Sequence, residues 1–372
     1  MTKRGLAISQ AGPADDPELR ALLRDQPLPG WVSLSFEREP DYFAAKDEEQ
    51  TVLLARERGP GGVGPLVGIC ARTLRRVFVD GEPRRLGYLG QFRAAPGWQR
   101  GFRAYRLLKA GFEVLQGDLP RTDELPYDLT SILSDNRAAR RILTAGLKGL
   151  PRYEPLVGLH TLVYRCSARG RRERVGVESG TVVGLAAIAR HLQCHYREFQ
   201  LAPVWDLAAL RTVGLQADDF LVVREEGHLI ACAALWDQRA SRQVVVRDYR
   251  RAVAMLRPLL NVAVALLGLP RLPRRGAALQ QAWLSHIACD SRRPDAFRAL
   301  LGAALARGRR AGIEQLLLGL VEGHPLLPVA RAARRHLVYR SDLFVVRLRD
   351  PAARHCAAEP DGRPLFIEAA IL

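Results

Sequence analysis

The sequence predicts an α/β protein of the α+β type, built as two domains in tandem, each a mixed, mostly antiparallel sheet flanked by helices. Three observations predict it. The chain has 372 residues, more than one hydrophobic core comfortably organises. The succession hairpin, strand, helix, strand, helix, strand occurs twice. A stretch poor in apolar side chains, Ser167 to Gly180, separates the two occurrences. The expected domains are therefore 1–166 and 181–372, with two separate sheets.

In the first domain residues 5–10 read as a strand. Residues 15–24 read as a helix with an acidic start and a basic end. A short helix is expected near Pro40. Residues 51–59 and 66–94 form a meander, with Asp80-Gly81 as the hairpin turn. Over 101–115, Phe102, Tyr105, Leu108, Phe112 and Leu115 recur at helical spacing. Residues 129–133 read as a buried strand, 138–145 as a helix capped by Ser134 or Asp135 and ended by Gly146, and 155–165 as a closing strand. In the second domain a helical stretch (181–199) leads to a hairpin at Glu226-Gly227. A strand (282–290), helix (294–310), strand (313–321), helix (325–335) and strand (337–348) follow. Residues 248–276 are a helical insertion whose apolar surplus is expected to pack on the other domain.

The formal net charge is +17, which fits an anionic partner. All but Lys3, Lys46, Lys109 and Lys148 of the 56 basic residues are arginines, spread along the chain rather than clustered with aromatics. Nucleic acid is therefore not the expected partner. The cysteines, from Cys70 to Cys356, show no metal-ligand spacing, and the group His191, Cys194 and His195 reads as structural, so no metal is expected. No secretory signal precedes the first strand, and the most apolar stretch, 252–270, is interrupted by Arg257, Pro258 and Asn261. A cytoplasmic protein without a membrane partner is expected.

The segment YLGQFRAAPGWQRGFRAYRLLKAGF (88–112), followed by a strand and SDNRAARRILTAGL (134–147), resembles the acyl-CoA-binding core of the GNAT acyltransferase superfamily. In that family a strand ends in a loop whose amides hold the CoA pyrophosphate at a helix N-terminus, an arrangement that suits any anion. The resemblance implies a cofactor site of Phe92, Arg93, Ala94, Gln99, Arg100, Gly101, Phe102, Arg103, Ala104 and Asn136, with acetyl-CoA or another acyl-CoA as co-substrate. Counted from Pro96, Gln99 and Ala104 fall in the family frame, while Phe102 takes the place of the first glycine.

The resemblance further implies direct transfer of an acyl group, acetyl above all, to a small-molecule or peptide amine. The family tyrosine that protonates the leaving thiolate is replaced by Leu143, so Tyr127 or Tyr153 is expected in its role, with Glu37, Glu39 or Asp41 as base. The departures from the family pattern keep a second reading open, a non-catalytic CoA-binding or scaffold protein. In the second domain Pro294 stands between Asp290 and Asp295 where the phosphate loop belongs, and Pro294 has no N–H to offer. His286 and His324 lie at strand ends there. One acyl-CoA per chain, in the first domain, is expected.

Overall fold

Turn chemistry sets the strand pairing. Asp80 and Gly81 (φ 54° and 83°), like Glu226 and Gly227 (φ 49° and 83°), both take the left-handed conformation, which matches the twist of a two-residue hairpin. The computed structural model describes residues 5–28, 30–44, 49–59, 62–117, 124–166, 175–348 and 362–372. Its first half runs β1 (Gly5–Gln10), α1 (Asp16–Asp25), β2 (Val32–Glu37), β3 (Gln50–Gly59), β4 (Gly62–Val79), β5 (Glu82–Ala94), α2 (Gly101–Gly117), β6 (Glu124–Leu133), α3 (Arg137–Leu143) and β7 (Arg152–Arg165). The second half runs β8 (Glu178–Ser179), α4 (Leu185–Tyr196), α5 (Leu207–Thr212), β9 (Phe220–Glu225), β10 (His228–Trp236), β11 (Gln243–Tyr249) and α6 (Arg251–Leu266). It continues through β12 (Gln281–Cys289), α7 (Pro294–Arg310), β13 (Gln315–Val321), α8 (Leu327–Ala333) and β14 (Leu337–Arg347).

The mixed, mostly antiparallel sheet with flanking helices is as expected, but the two sheets are not separate. Twelve strands join in the order β1-β3-β4-β5-β6-β14-β7-β13-β12-β10-β9-β8. Among the described strands only β5 with β6 and β12 with β13 pair in parallel. The order explains the junction: from β5 to β12 it reads β5-β6-β14-β7-β13-β12, and exchanging the halves reverses it onto itself. Each half contributes its last strand to the other, so β14 pairs with β6 and β7 pairs with β13. A separate small sheet pairs β2 with β11, again across the halves.

Apolar periodicity found the helices better than it found their faces. α2 buries Ala104, Leu107, Leu108, Phe112 and Leu115, whereas Phe102 is 72% exposed. The core face is thus rotated from the one read in the sequence, because α2 lies over Val67, Ala55 and Leu53 rather than end-on. Over the described residues 40–44 the helix expected near Pro40 does not form: β2 ends at Glu37 and a short turn follows, with 45–48 outside the described residues. α7 buries Ala296, Phe297, Ala299, Leu300, Leu301, Ala304 and Leu305 against β9, β10, β12 and β13. Each such leucine stabilises the fold by about 1.5–3 kcal/mol. Among the described residues no helix is long and apolar enough to cross a membrane, and no group of His, Cys, Asp and Glu is placed to hold a metal.

Candidate active site

Both halves contain a pair of parallel strands that diverge. β5 and β6 pair through Gly87–Asp128 and Tyr88–Leu129. β12 and β13 pair through Trp283–Leu317. Past these points neither pair continues as a ladder, and the strands part to leave a cleft. One residue in each first strand is bulged into the left-handed region, Gln91 (φ 56°) and His286 (φ 52°), and the ladder to the neighbouring strand shifts at the same place. A bulge of this kind frees an amide and re-aims it.

What differs is what fills the cleft. In the second half the chain fills it: Glu368 accepts a bond from the His286 amide at 2.8 Å, and Ala369 packs so closely on Gly319 that a Cβ there would lie 2.1 Å from the Ala369 Cβ. The Gln238 side chain holds the Ala370 carbonyl at 3.0 Å. Buried without an ionic partner, Glu368 has its carboxyl pushed up to about 7. In the first half no side chain among the described residues takes the Gln91 amide. The Gln91 side chain instead accepts from the Tyr42 hydroxyl.

The turn leading out of the first cleft is open. Gly97 (φ 83°) and Gly101 (φ 62°) let the chain reverse into α2, and nothing lies within 4 Å of a Cβ built on Gly101. The first helical bond is from the Ala104 amide to the Arg100 carbonyl at 3.5 Å, so the preceding amides meet no intrahelical acceptor. Gln99, Arg100, Gly101, Phe102 and Arg103 are exposed, and Ala104 is buried. Trp98 is buried beneath the turn, with the Arg103 guanidinium 5.7 Å from its ring. Gln99 donates to the Ala94 carbonyl at 3.0 Å and to Gln26 at 2.7 Å. From Tyr88 to Phe112 the chain carries Arg93, Arg100, Arg103, Arg106 and Lys109 and no carboxylate. Open amides at a helix start, with arginines and no carboxylate nearby in the sequence, would suit an anion.

The remaining expected residues are not assembled into one site. Phe92 is 40% exposed on β5. Arg93, with burial pushing its guanidinium down to about 10, lies over the Phe36 ring. Asn136 is the N-cap of α3, accepting from the Ala139 amide at 3.2 Å. Glu37 is not a free base: Ser35 and Arg247 of β11 both donate to its carboxylate. Tyr127 and Tyr153 are on opposite faces of the sheet, Tyr127 with Leu86 and Leu129, Tyr153 with Leu108, Leu143 and Leu150 under α2 and α3. Burial raises both hydroxyls. His286 and His324 are enclosed by aromatic rings, His286 by Trp205, Trp236 and Phe220, His324 by Phe199 and Phe366.

One pair was missed. Tyr88, the last residue of β5 in register with β6, has its hydroxyl 2.7 Å from the Ser131 hydroxyl. Both side chains are partly accessible, and they stand where the strands part. Burial is the largest influence on Tyr88 and raises its pKa, opposed by Ser131 and by Arg75, whose guanidinium lies 5.9 Å from the ring. The residue therefore stays a neutral O–H donor at neutral pH. Its position on the central strand was legible; its partner two residues past Leu129 was set only by the parallel register.

Comparison with solved structures agrees with this topology. A GCN5-related N-acetyltransferase from Sphaerobacter thermophilus matches 93% of this chain and 96% of its own at TM-score 0.54 and 12% identity. N-myristoyltransferase of Saccharomyces cerevisiae with bound myristoyl-CoA matches 92% of this chain and 82% of its own at TM-score 0.59 and 9% identity. The GCN5-related glucosamine N-acetyltransferase region of a fungal multi-domain β-N-acetylglucosaminidase matches 93% of this chain and 38% of that one at TM-score 0.56 and 14% identity. No family model matches the sequence, and no curated protein does. The chain has the GNAT fold.

Proposed function

We propose that the chain is an acyl-CoA-dependent N-acyltransferase that binds one acyl-CoA in the first-half cleft and passes its acyl group, acetyl in the simplest case, directly to an amine of a small molecule or peptide. The observation that carries the reading is the contrast between the clefts: the first ends in an open, arginine-lined turn with free helical amides, and the second is occupied by residues 365–372. The exchange of β7 and β14 ties the two halves into one sheet, so that the second half supports the first across the division proposed near 166–181. A cytoplasmic setting would supply acyl-CoA.

Gly101→Glu places a carboxylate where the pyrophosphate would sit. Acetyl-CoA binding by titration calorimetry is expected at one per chain in the native protein and weaker by about tenfold or more in this variant. Pro294→Glu, beside the filled cleft, should bind normally. Two sites per chain, or normal binding by Gly101→Glu, would overturn the reading.

Within this reading Tyr88, supported by Ser131, is the proton donor to the leaving CoA sulfur. Tyr88→Phe is expected to lower kcat by on the order of 10²-fold with acyl-CoA affinity kept, while Tyr153→Phe, on the opposite face, changes it little. An unchanged kcat in Tyr88→Phe would remove that role. The non-catalytic reading is favoured by two departures from the family pattern, Phe102 in the place of a glycine and Leu143 in the place of the tyrosine. Acyl-CoA binding without transfer to any amine in a broad acceptor panel would select it.

A further inference from the structure

The most apolar stretch of the chain is turned outward. The sequence led us to expect 248–276 packed on the other half, and β11 does pair with β2 there, yet α6 buries none of its residues. Met255, Leu259, Val262 and Leu266, spaced four, three and four apart, lie along one face and are 81%, 69%, 61% and 83% exposed. The polar residues turn inward instead. Arg257 donates to the Pro273 carbonyl at 3.1 Å. Asn261 donates to the Leu272 carbonyl at 3.0 Å and accepts from the Leu272 amide at 2.7 Å. These bonds fix the rotation of the helix, so the apolar row cannot roll into the protein without breaking them.

The surface extends across the halves. Trp31 is 67% exposed, its carbonyl accepts from the Arg250 amide at 3.1 Å, and the Arg250 guanidinium lies 5.1 Å from its ring. Arginines border the helix along its length: Arg250 and Arg251 at its start, Arg274 in the returning chain, and Arg335, which donates to the Leu267 carbonyl at 3.4 Å, at its end. No acidic residue occurs from Tyr249 to Cys289.

We propose that this surface docks the protein on an anionic phospholipid bilayer, with the α6 row and Trp31 entering the boundary between headgroups and acyl chains and the arginines meeting lipid phosphates. An outward apolar row, a basic border and an exposed tryptophan are the combination that lies in a membrane interface. This proposal departs from the expectation of no membrane partner, which rested on the lack of a spanning stretch; α6 is too short to span a bilayer, but surface docking does not require it to. A second copy of the chain is a poorer occupant, since pairing the surface with itself would bring arginine borders together. An acidic protein would need a groove to receive side chains that here stand out from a convex helix.

Flotation of the purified full chain with vesicles tests this. Binding is expected to vesicles of phosphatidylcholine with phosphatidylglycerol, and about tenfold or more weaker to phosphatidylcholine alone. Leu259→Glu, at an exposed position where folding should be unaffected, and the pair Arg251→Glu with Arg274→Glu should each weaken binding to the anionic vesicles by about tenfold or more. The second effect should shrink at high salt, where the charges are screened. Absence of binding, or equal binding by Leu259→Glu with an unchanged melting temperature, would overturn the proposal. So would a native protein that is dimeric by light scattering and becomes monomeric in Leu259→Glu.

Discussion

Replacement of Arg72 by alanine is expected to cost about 3–5 kcal/mol of stability. Arg72 on β4 donates Nε and Nη2 to the two oxygens of Asp128 at 2.8 Å each, and Nη2 also to Glu124 at 3.0 Å. The three side chains are 9%, 1% and 3% exposed. Burial raises the Asp128 pKa, with Glu124 adding to it and Arg72 opposing, so without Arg72 two carboxylates would be enclosed with no cation. Asp128 would then take up a proton in the fold more readily than in the unfolded chain, and the loss should be larger at about pH 8 than at about pH 5. Gly87 is part of the same construction: a Cβ there would lie 1.9 Å from Asp128 Oδ1 and 2.7 Å from an Arg72 nitrogen. Gly87→Ala should therefore be strongly destabilising as well. Urea denaturation checks both; a loss under about 1 kcal/mol for Arg72→Ala, within the range of a surface pair, would show that the triad is not the anchor of the β5–β6 divergence.

Acidification from about pH 7.5 to about 5.5 is expected to remove about 2 kcal/mol of stability, and about 4 kcal/mol in Glu368→Gln. Burial is the largest cause of the depressed values of His286, at about 3, and of His324 and His195, at about 4. A histidine depressed in the fold binds its proton less well there than in the unfolded chain. Its contribution is therefore complete above about pH 6.5 and is lost as pH falls toward the folded value, by about 1 kcal/mol or slightly more each at pH 5.5. Glu368 acts in the opposite sense. Raised to about 7 in the fold, it contributes most below the ordinary carboxyl range and loses that contribution as pH rises through about 7. Over the same interval it thus offsets about 2 kcal/mol of the loss. Chemical denaturation at the two pH values measures both slopes. If the native protein were more stable at pH 5.5, or if Glu368→Gln kept the native slope, the buried pair of opposing titrations would not exist.

Sequence and structure divide the protein along physical lines. Local rules were enough for the hairpins, because Asp80-Gly81 and Glu226-Gly227 encode a backbone conformation in two adjacent residues. They were enough for α1, whose acidic start and basic end mark a helix, for α2, whose apolar spacing repeats over several turns, and for the turn at Gly97 to Gly101, where glycines precede a helix rich in basic residues. The doubled order of elements and the resemblance of 88–112 and 134–147 gave the fold.

Contacts distant in sequence were decided by the tertiary structure alone. That β14 pairs with β6, and β7 with β13, follows from no local pattern, since an exchanged strand alternates apolar and polar residues like any other. Glu37 read as an available base until β11 brought Arg247 to it. Tyr88 and Ser131, 43 residues apart, meet only because β5 and β6 run parallel in one register. The filling of the second cleft by Glu368 and Ala369 depends on Gly319 leaving room for a side chain from the far end of the chain. α6 marks the limit of reading composition: its apolar surplus was plain in the sequence, but hydrogen bonds from Arg257 and Asn261 to Leu272 and Pro273 decide which way its apolar row faces.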